Sequence, residues 1–386
     1  MMPALRNLLI PALVVNSVLV GGGFATGREL VEFFLKLGPA TGLAGMTVSM
    51  IVFSLCAAIS YELARRRQTF DYNSFNAEYL FRFRYMFEVV YVLGLLLVLA
   101  VVSAAASELL HDWAGLPKYL GAVAFIILIS LLLAFPTAII ERVISLWSLA
   151  FVIIFALLAA SVLSQSAGEV AATLSSEPVD AGAAIWNGLS YSAYNAPIIA
   201  VVIFVARRFR APGEALIAGA LVGPLALLPA FTLYFALLAF YPAINDQPVP
   251  ILHVLDELDL GVLGSLVELI VFGALLTTGA GLLHGLNERV IQVLARRMLS
   301  DERSANRSWS LLRAGIAFSL LFISAFLATA VGLIDLIGSG YRFAALIYIF
   351  VFILPLILVG GGRLAWSAYR RQAVPSAGSS DGQGSL

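Results

Sequence analysis

The residues of this chain best equipped for chemistry sit where the sequence is otherwise apolar. Arg28, Glu29 and Glu32 follow the run Val20-Gly21-Gly22-Gly23-Phe24-Ala25-Thr26-Gly27. Glu268, Asp335 and Arg342 fall in later apolar stretches. Charges in such stretches are costly to bury and mark ion or solute pathways. Arg28 and Glu32 are four residues apart, so a local ion pair on one helix face is the plain structural reading. A second polar group, Ser190-Tyr191-Ser192-Ala193-Tyr194-Asn195-Ala196-Pro197, places hydroxyl and amide side chains within another apolar run. A third, Thr277-Thr278, offers two adjacent hydroxyls, which suit a hard cation or simply bond their own helix. Glu29, Glu32 and Glu268 are candidate proton carriers; Glu88 and Glu108 lie closer to the ends of their run. Three histidines (His111, His253, His284) show no metal-ligand spacing, and the lone Cys56 excludes an internal disulfide. No P-loop, Ser/His arrangement or His/Asp cluster lies on an apolar run, so an enzyme is not expected.

These residues must be positioned by membrane-spanning helices. Of the 386 residues, 61% are hydrophobic and 12% charged, with mean hydropathy +0.97. A soluble domain carries about twice that charged fraction. Formal net charge is zero, which gives no reason to expect a nucleic-acid partner. Apolar runs of spanning length number ten, at about 8–36, 40–64, 84–110, 118–137, 140–163, 182–206, 213–241, 261–291, 309–330 and 335–360. They form one transmembrane domain over 1–372, followed by a Gly/Ser tail, 373–386, that reads as disordered. Polar connections are expected at 164–180 and 242–260. Most of the 23 Lys and Arg residues fall in alternate connections, which places both termini in the cytoplasm. The first run has no small-residue cleavage site and continues straight into the glycine run, so no separate signal peptide is expected.

Two runs are interrupted. The glycines at 21–23 break the first, because glycine holds a helix poorly. The polar group ending in Pro197 breaks the sixth. Irregular backbone at membrane depth survives only when buried in protein or lining a cavity. With ten spans, the first and sixth are matching members of two five-span halves, about 8–163 and 182–361. Paired interruptions of this kind point to an inverted-repeat transporter with its site at the midplane. The expected substrate site comprises Gly21, Gly22, Gly23 and Phe24 at the first break, with Tyr191, Tyr194 and Asn195 at the second. Helices restarting near Phe24 and near Asn195 and Pro197 are expected to offer positive ends to a carboxylate.

The run Gly21-Gly22-Gly23-Phe24-Ala25-Thr26-Gly27-Arg28-Glu29 resembles the Gly-Ala-Gly-Phe-Ala-Ser-Gly-Gln-Glu signature of the YkvI-like bacterial membrane proteins, departing from it at Gly22, Thr26 and Arg28. That family is grouped with the amino acid–polyamine–organocation superfamily. The resemblance implies a LeuT-type fold of ten core helices, broken helices one and six, and transport of amino acids or related solutes across the bacterial inner membrane. It also implies a sodium site, with ligands from the Ala274 carbonyl, the Thr277 and Thr278 hydroxyls, and carbonyls near Ser17 and Val20. Proton-coupled relatives often place a lysine of span five there, and span five here has none. By the same resemblance, Arg28 with Asp335 would form an outer gate, and Arg6 with Glu288 an inner one. The expected function is sodium-coupled symport of a small solute by alternating access, with no covalent cofactor and an open oligomeric state. The alternatives are proton-coupled transport of an amine or organic cation, and a non-transporting membrane sensor on the same fold.

Overall fold

A computed structural model describes residues 3–19, 21–133, 137–258, 260–297, 319–320 and 322–366. All the regular structure among them is helical. In chain order the elements are α1 (Pro3–Leu19), α2 (Gly22–Ala25), α3 (Arg28–Phe33), α4 (Pro39–Arg67), α5 (Tyr72–Leu80), α6 (Arg84–Ala114), α7 (Lys118–Leu133) and α8 (Thr137–Leu174). There follow α9 (Ala181–Asn195), α10 (Pro197–Val201), α11 (Pro212–Leu238), α12 (Pro250–Leu258) and α13 (Val262–Arg297). The last two are α14 (Phe322–Val331) and α15 (Leu333–Trp366).

Six of the described helices are long and apolar enough to cross a membrane: α4, α6, the 149–174 part of α8, α11, the 262–283 part of α13, and α15. The other expected spans take different forms. The first and sixth are broken into short helices, and α7 has 16 residues. Of the expected span at 309–330, residues 309–318 lie outside the described residues, as does the tail 373–386.

Three expectations are corrected. The outer half of the first span is not one helix from Phe24. It turns again at Thr26–Gly27, where Gly27 takes φ +79°, a left-handed conformation that a residue with a Cβ adopts at a cost. Thr26 ties the turn by donating its hydroxyl to the Gly23 carbonyl (2.8 Å). The connection expected at 164–180 is helical as far as Leu174, bending at Ser166 (φ −124°, ψ 22°). The connection at 242–260 folds into α12, whose Ile251 amide donates to the Thr26 carbonyl (3.1 Å).

The interior is organised on α4 and α11. They approach so closely that a Cβ on Gly219 would meet the backbone of Ala57 and Ala58. Two prolines inside α11, Pro224 and Pro229, each withdraw the amide that would have bonded the carbonyl four residues earlier. Neighbouring helices supply the missing donors. Ser54 donates to the Ala220 carbonyl (2.7 Å). Asn16 of α1 donates to the carbonyls of Leu225 (3.2 Å) and Ala226 (2.9 Å). Two ordinary-looking polar side chains thereby fix α11 against α4 and α1. In α15, three π-helical stretches at 336–341, 349–353 and 356–361 widen the turns, a feature common at functional sites.

Candidate functional site

The break in the first span opens onto a cavity of about 130 Å³. Its wall comes from five separate parts of the fold: the α1–α3 break, α6, the α9–α10 break, α13 and α15. Gly21, Gly23, Tyr194 and Asn195 of the expected substrate site line it. Phe24 and Tyr191 do not. Phe24 packs instead on Phe151 of α8, with ring centroids 6.1 Å apart. Tyr191 sits behind the wall, against Phe33, Phe34 and Tyr194. The side-chain surroundings of Gly22 lie outside the described residues.

The lining also includes residues that the sequence did not single out for it. Tyr91 of α6, and Tyr341 and Tyr348 of α15, all face the cavity. Tyr341 and Tyr348 are seven residues apart, which puts them on one helix face, a weak signal in a helix so apolar. Nothing in the sequence around Tyr91 marks it out. Glu29 stood out as a charge beside the break, and its place in the wall comes from the fold.

Glu29 accepts a hydrogen bond from the Tyr194 hydroxyl. The Tyr194 ring stacks on Tyr341 (4.6 Å) and on Phe33 (5.6 Å). A Cβ on Gly23 would run into the Glu29 carboxylate. The glycine run therefore makes room for an acidic group as well as interrupting a helix.

The two restarted helices offer little to an anion. α2 has four residues and α10 five, too few for peptide dipoles to sum. Pro197, the first residue of α10, has no N–H at all. The Asn195 side chain donates to the Tyr191 carbonyl (3.1 Å) within its own helix. The carboxylate-binding ends expected at these breaks are thus reduced to a single turn each.

Thr278 faces Gly21 across the cavity, with its Oγ1 3.7 Å from where a Gly21 Cβ would lie. Both threonine hydroxyls bond back along α13. Thr278 donates to the Ala274 carbonyl (2.7 Å), and Thr277 to Gly273 (2.9 Å) and Ala274 (3.2 Å). The Ala274 carbonyl and the Thr277 and Thr278 hydroxyls thus form an all-oxygen group on α13, with Thr278 the member that reaches the break, chemistry suited to a hard cation. Val20 and the Ser17 side chain lie outside the described residues. Among the described residues no group of three or more His, Cys, Asp or Glu could hold a metal ion.

A network of charges closes over α3. Fully buried Arg28 donates to the carbonyls of Asn245 (2.7 Å) and Gln247 (2.8 Å) and pairs with Glu32. Lys36 reaches the same carboxylate (2.6 Å). Arg342 donates to the Glu32 carbonyl (2.7 Å), satisfying an acceptor in the last turn of α3. Asp335 is exposed, and the structure does not bring it to Arg28. The reason is reach and competition: Glu32 stands one turn along the same helix, and the 242–247 segment supplies two carbonyls. The side chains of Arg6 and Glu288 lie outside the described residues. Glu268 is half-buried on α13 and does not line the cavity.

No family profile matches the chain. The Bacillus subtilis (strain 168) membrane protein YkvI, described as uncharacterized, is 26% identical over 345 residues, which span 86% of this chain and 90% of the relative. Among solved structures, a manganese transporter of Eremococcus coleocola bound to an aromatic bis-isothiourea compound superposes with TM-score 0.60 at 16% identity, over 93% of this chain and 80% of that one. A substrate-bound, outward-open Na+-coupled sialic acid symporter gives TM-score 0.51 at 12% identity, over 92% of this chain and 86% of that one. At these identities the two likenesses are of fold. The resemblance first visible in nine residues around the glycine run thus extends over most of the sequence: the chain is a membrane protein similar to YkvI along nearly its whole length.

Proposed function

We propose that the chain is a secondary active transporter of a small solute, of the amino-acid class or related to it, working by alternating access. It is a carrier and not an enzyme. In this reading the ten expected spans form two inverted five-span halves, with the α1–α3 and α9–α10 breaks as their matching members. One observation carries the proposal: a cavity for a small solute opens at both helix breaks and is walled by five separate helical regions. Such a site is exposed to either side by moving helices past one another, without any change in its own residues. The fold shared with a manganese transporter and a Na+-coupled sialic acid symporter supports it. Manganese as cargo is not favoured, because the cavity wall offers one carboxylate and no cluster of metal-ligating side chains among the described residues.

Sodium is the proposed coupling ion. The Ala274 carbonyl and the Thr277 and Thr278 hydroxyls are hard oxygen donors bonded to one another on α13, and the contact of Thr278 with Gly21 at the first break supports the reading. Counterflow of labelled solute in proteoliposomes, with sodium replaced by choline, tests both parts. Exchange that depends on sodium and falls in Thr278→Ala is the expected result. Exchange unchanged in choline removes the sodium assignment, and binding without exchange removes the carrier.

A further inference from the structure

The cavity wall has a charge and no counter-charge. Among the described lining residues Glu29 is the one charged side chain, and the rest are apolar, glycine, tyrosine, asparagine, proline or threonine. No ion pair to Glu29 exists among the described residues. The two arginines nearest in the network are committed elsewhere. Arg28, next in sequence, turns to Glu32 and to the carbonyls of Asn245 and Gln247, while Arg342 bonds the Glu32 carbonyl. An isolated carboxylate in an apolar interior is costly unless paired or protonated.

Other features of the site are matched to a cation. Tyr194 holds the Glu29 carboxylate with its hydroxyl and is itself fixed by stacking on Tyr341 and Phe33. Tyr91, Tyr341 and Tyr348 add aromatic surface to the same cavity, and ring faces attract ammonium groups. Gly23 leaves the space that the carboxylate occupies. Features that would recognise an anion are weak. The helix restarts are four and five residues long, and one begins with proline. The cavity, at about 130 Å³, has room for about four waters at roughly 30 Å³ each, so it accommodates a solute of several heavy atoms and not merely a bare ion.

We propose that Glu29 is the counter-ion for a protonated amine on the solute, with the tyrosine wall around the ammonium and its first carbons. This deepens the transporter reading and rests on it: the solute class is amine-bearing, and the recognised group is the ammonium rather than a carboxylate.

The test uses the purified full-length protein and thermal-shift titration with butylamine, phenethylamine and tetramethylammonium. Each is compared with its uncharged alcohol or hydrocarbon counterpart, and all of them with butyrate, sodium chloride and choline chloride. At least one amine is expected to stabilise the wild type where its uncharged counterpart and butyrate do not. Its affinity is expected to fall at least tenfold in Glu29→Gln, the loss of one charge-assisted hydrogen bond. That variant keeps an acceptor for Tyr194. If it does not fold, the wild-type comparison of amine against matched alcohol still decides. Equal stabilisation of Glu29→Gln, stabilisation by butyrate alone, or no response to any amine overturns the proposal. A response to sodium chloride alone that Glu29→Gln abolishes also overturns it, in favour of an inorganic ion. Counterflow separates the two readings. An amine that binds through Glu29 yet does not exchange across liposomes removes the carrier and leaves the amine site. Exchange of a solute equally by wild type and Glu29→Gln does the reverse.

Discussion

Replacing Arg28 by alanine removes a fully buried guanidinium that holds three partners on two segments. Breaking one member of a buried ion pair costs about 3–5 kcal/mol, and each hydrogen bond to a charged group contributes about 1.5–3 kcal/mol. The full sum does not apply here. Glu32 keeps Lys36 at 2.6 Å, and the Asn245 and Gln247 carbonyls lie on a connecting segment where water can reach them once it lifts. A net loss of about 3 kcal/mol follows, which is roughly a hundredfold in an equilibrium constant. The loss falls on one motion, the lifting of the 242–250 segment from α3. Ile244 is fully buried in that segment, and the single native cysteine, Cys56, is buried. Labelling of Ile244→Cys by a membrane-impermeant maleimide therefore reports the opening. In the Arg28→Ala background the rate should rise about a hundredfold, with Arg28→Lys intermediate, since one ammonium cannot span all three acceptors. A rate within about threefold of the parent would refute the reasoning, showing that apolar packing holds the segment without the charge network.

The remaining predictions concern the scaffold. Asn16→Leu strands the Leu225 carbonyl that Pro229 bares and should lower stability by about 1–3 kcal/mol, read as a fall in thermal midpoint, whereas Asn16→Gln should recover part of it. Gly219→Val forces α11 away from the Ala57 and Ala58 backbone and should cost at least about 2 kcal/mol, while Gly213→Ala, with open space around it, should be near neutral. Asp71 caps α5 by accepting the Ser74 amide (2.9 Å), and the Ser74 hydroxyl and amide hold its carboxyl below the usual 3.8. The folded state thus favours the ionised cap. Its contribution, about 1 kcal/mol, should be complete above about pH 4 and fade as pH falls through the lowered value. The stability difference between wild type and Asp71→Asn, followed from pH 6 to 3, should narrow or change sign on that limb. A difference that stays constant would remove the cap's role.

Local signals around the candidate site were legible in the sequence. The glycines at 21–23 and the polar run closed by Pro197 do interrupt helices, because glycine and proline act on their own turn of backbone. Arg28 with Glu32 follows from spacing on one helix. The expected gate to Asp335 had to assume how two distant helices face each other, and the fold instead lays the 242–247 carbonyls across Arg28. Thr277 and Thr278 were legible as adjacent hydroxyls. That they face Gly21 was not, because helix rotation is set by packing. The 164–174 segment looked like a connection because its polar serines outweighed its good helix formers, yet it continues a helix already nucleated upstream.

By itself, the sequence determined that this protein lives in a membrane, that two of its apolar runs are interrupted, at Gly21–Gly23 and before Pro197, and where the charges at the first break stand along the chain. Those properties follow from hydropathy and from glycine and proline chemistry within a few residues. Only the tertiary structure decided what the breaks face. Glu29 meets Tyr194 across 165 positions of sequence, and Asn16 meets the Leu225 carbonyl bared by Pro229, with its neighbour Ala226, across more than two hundred. No local pattern encodes such pairings, because apolar helices of similar composition pack in many rotations. Pairings such as Asn16 with Leu225 and Ser54 with Ala220 favour one rotation over the others. The same selection turned the glycine run from an interruption into the seat of a carboxylate.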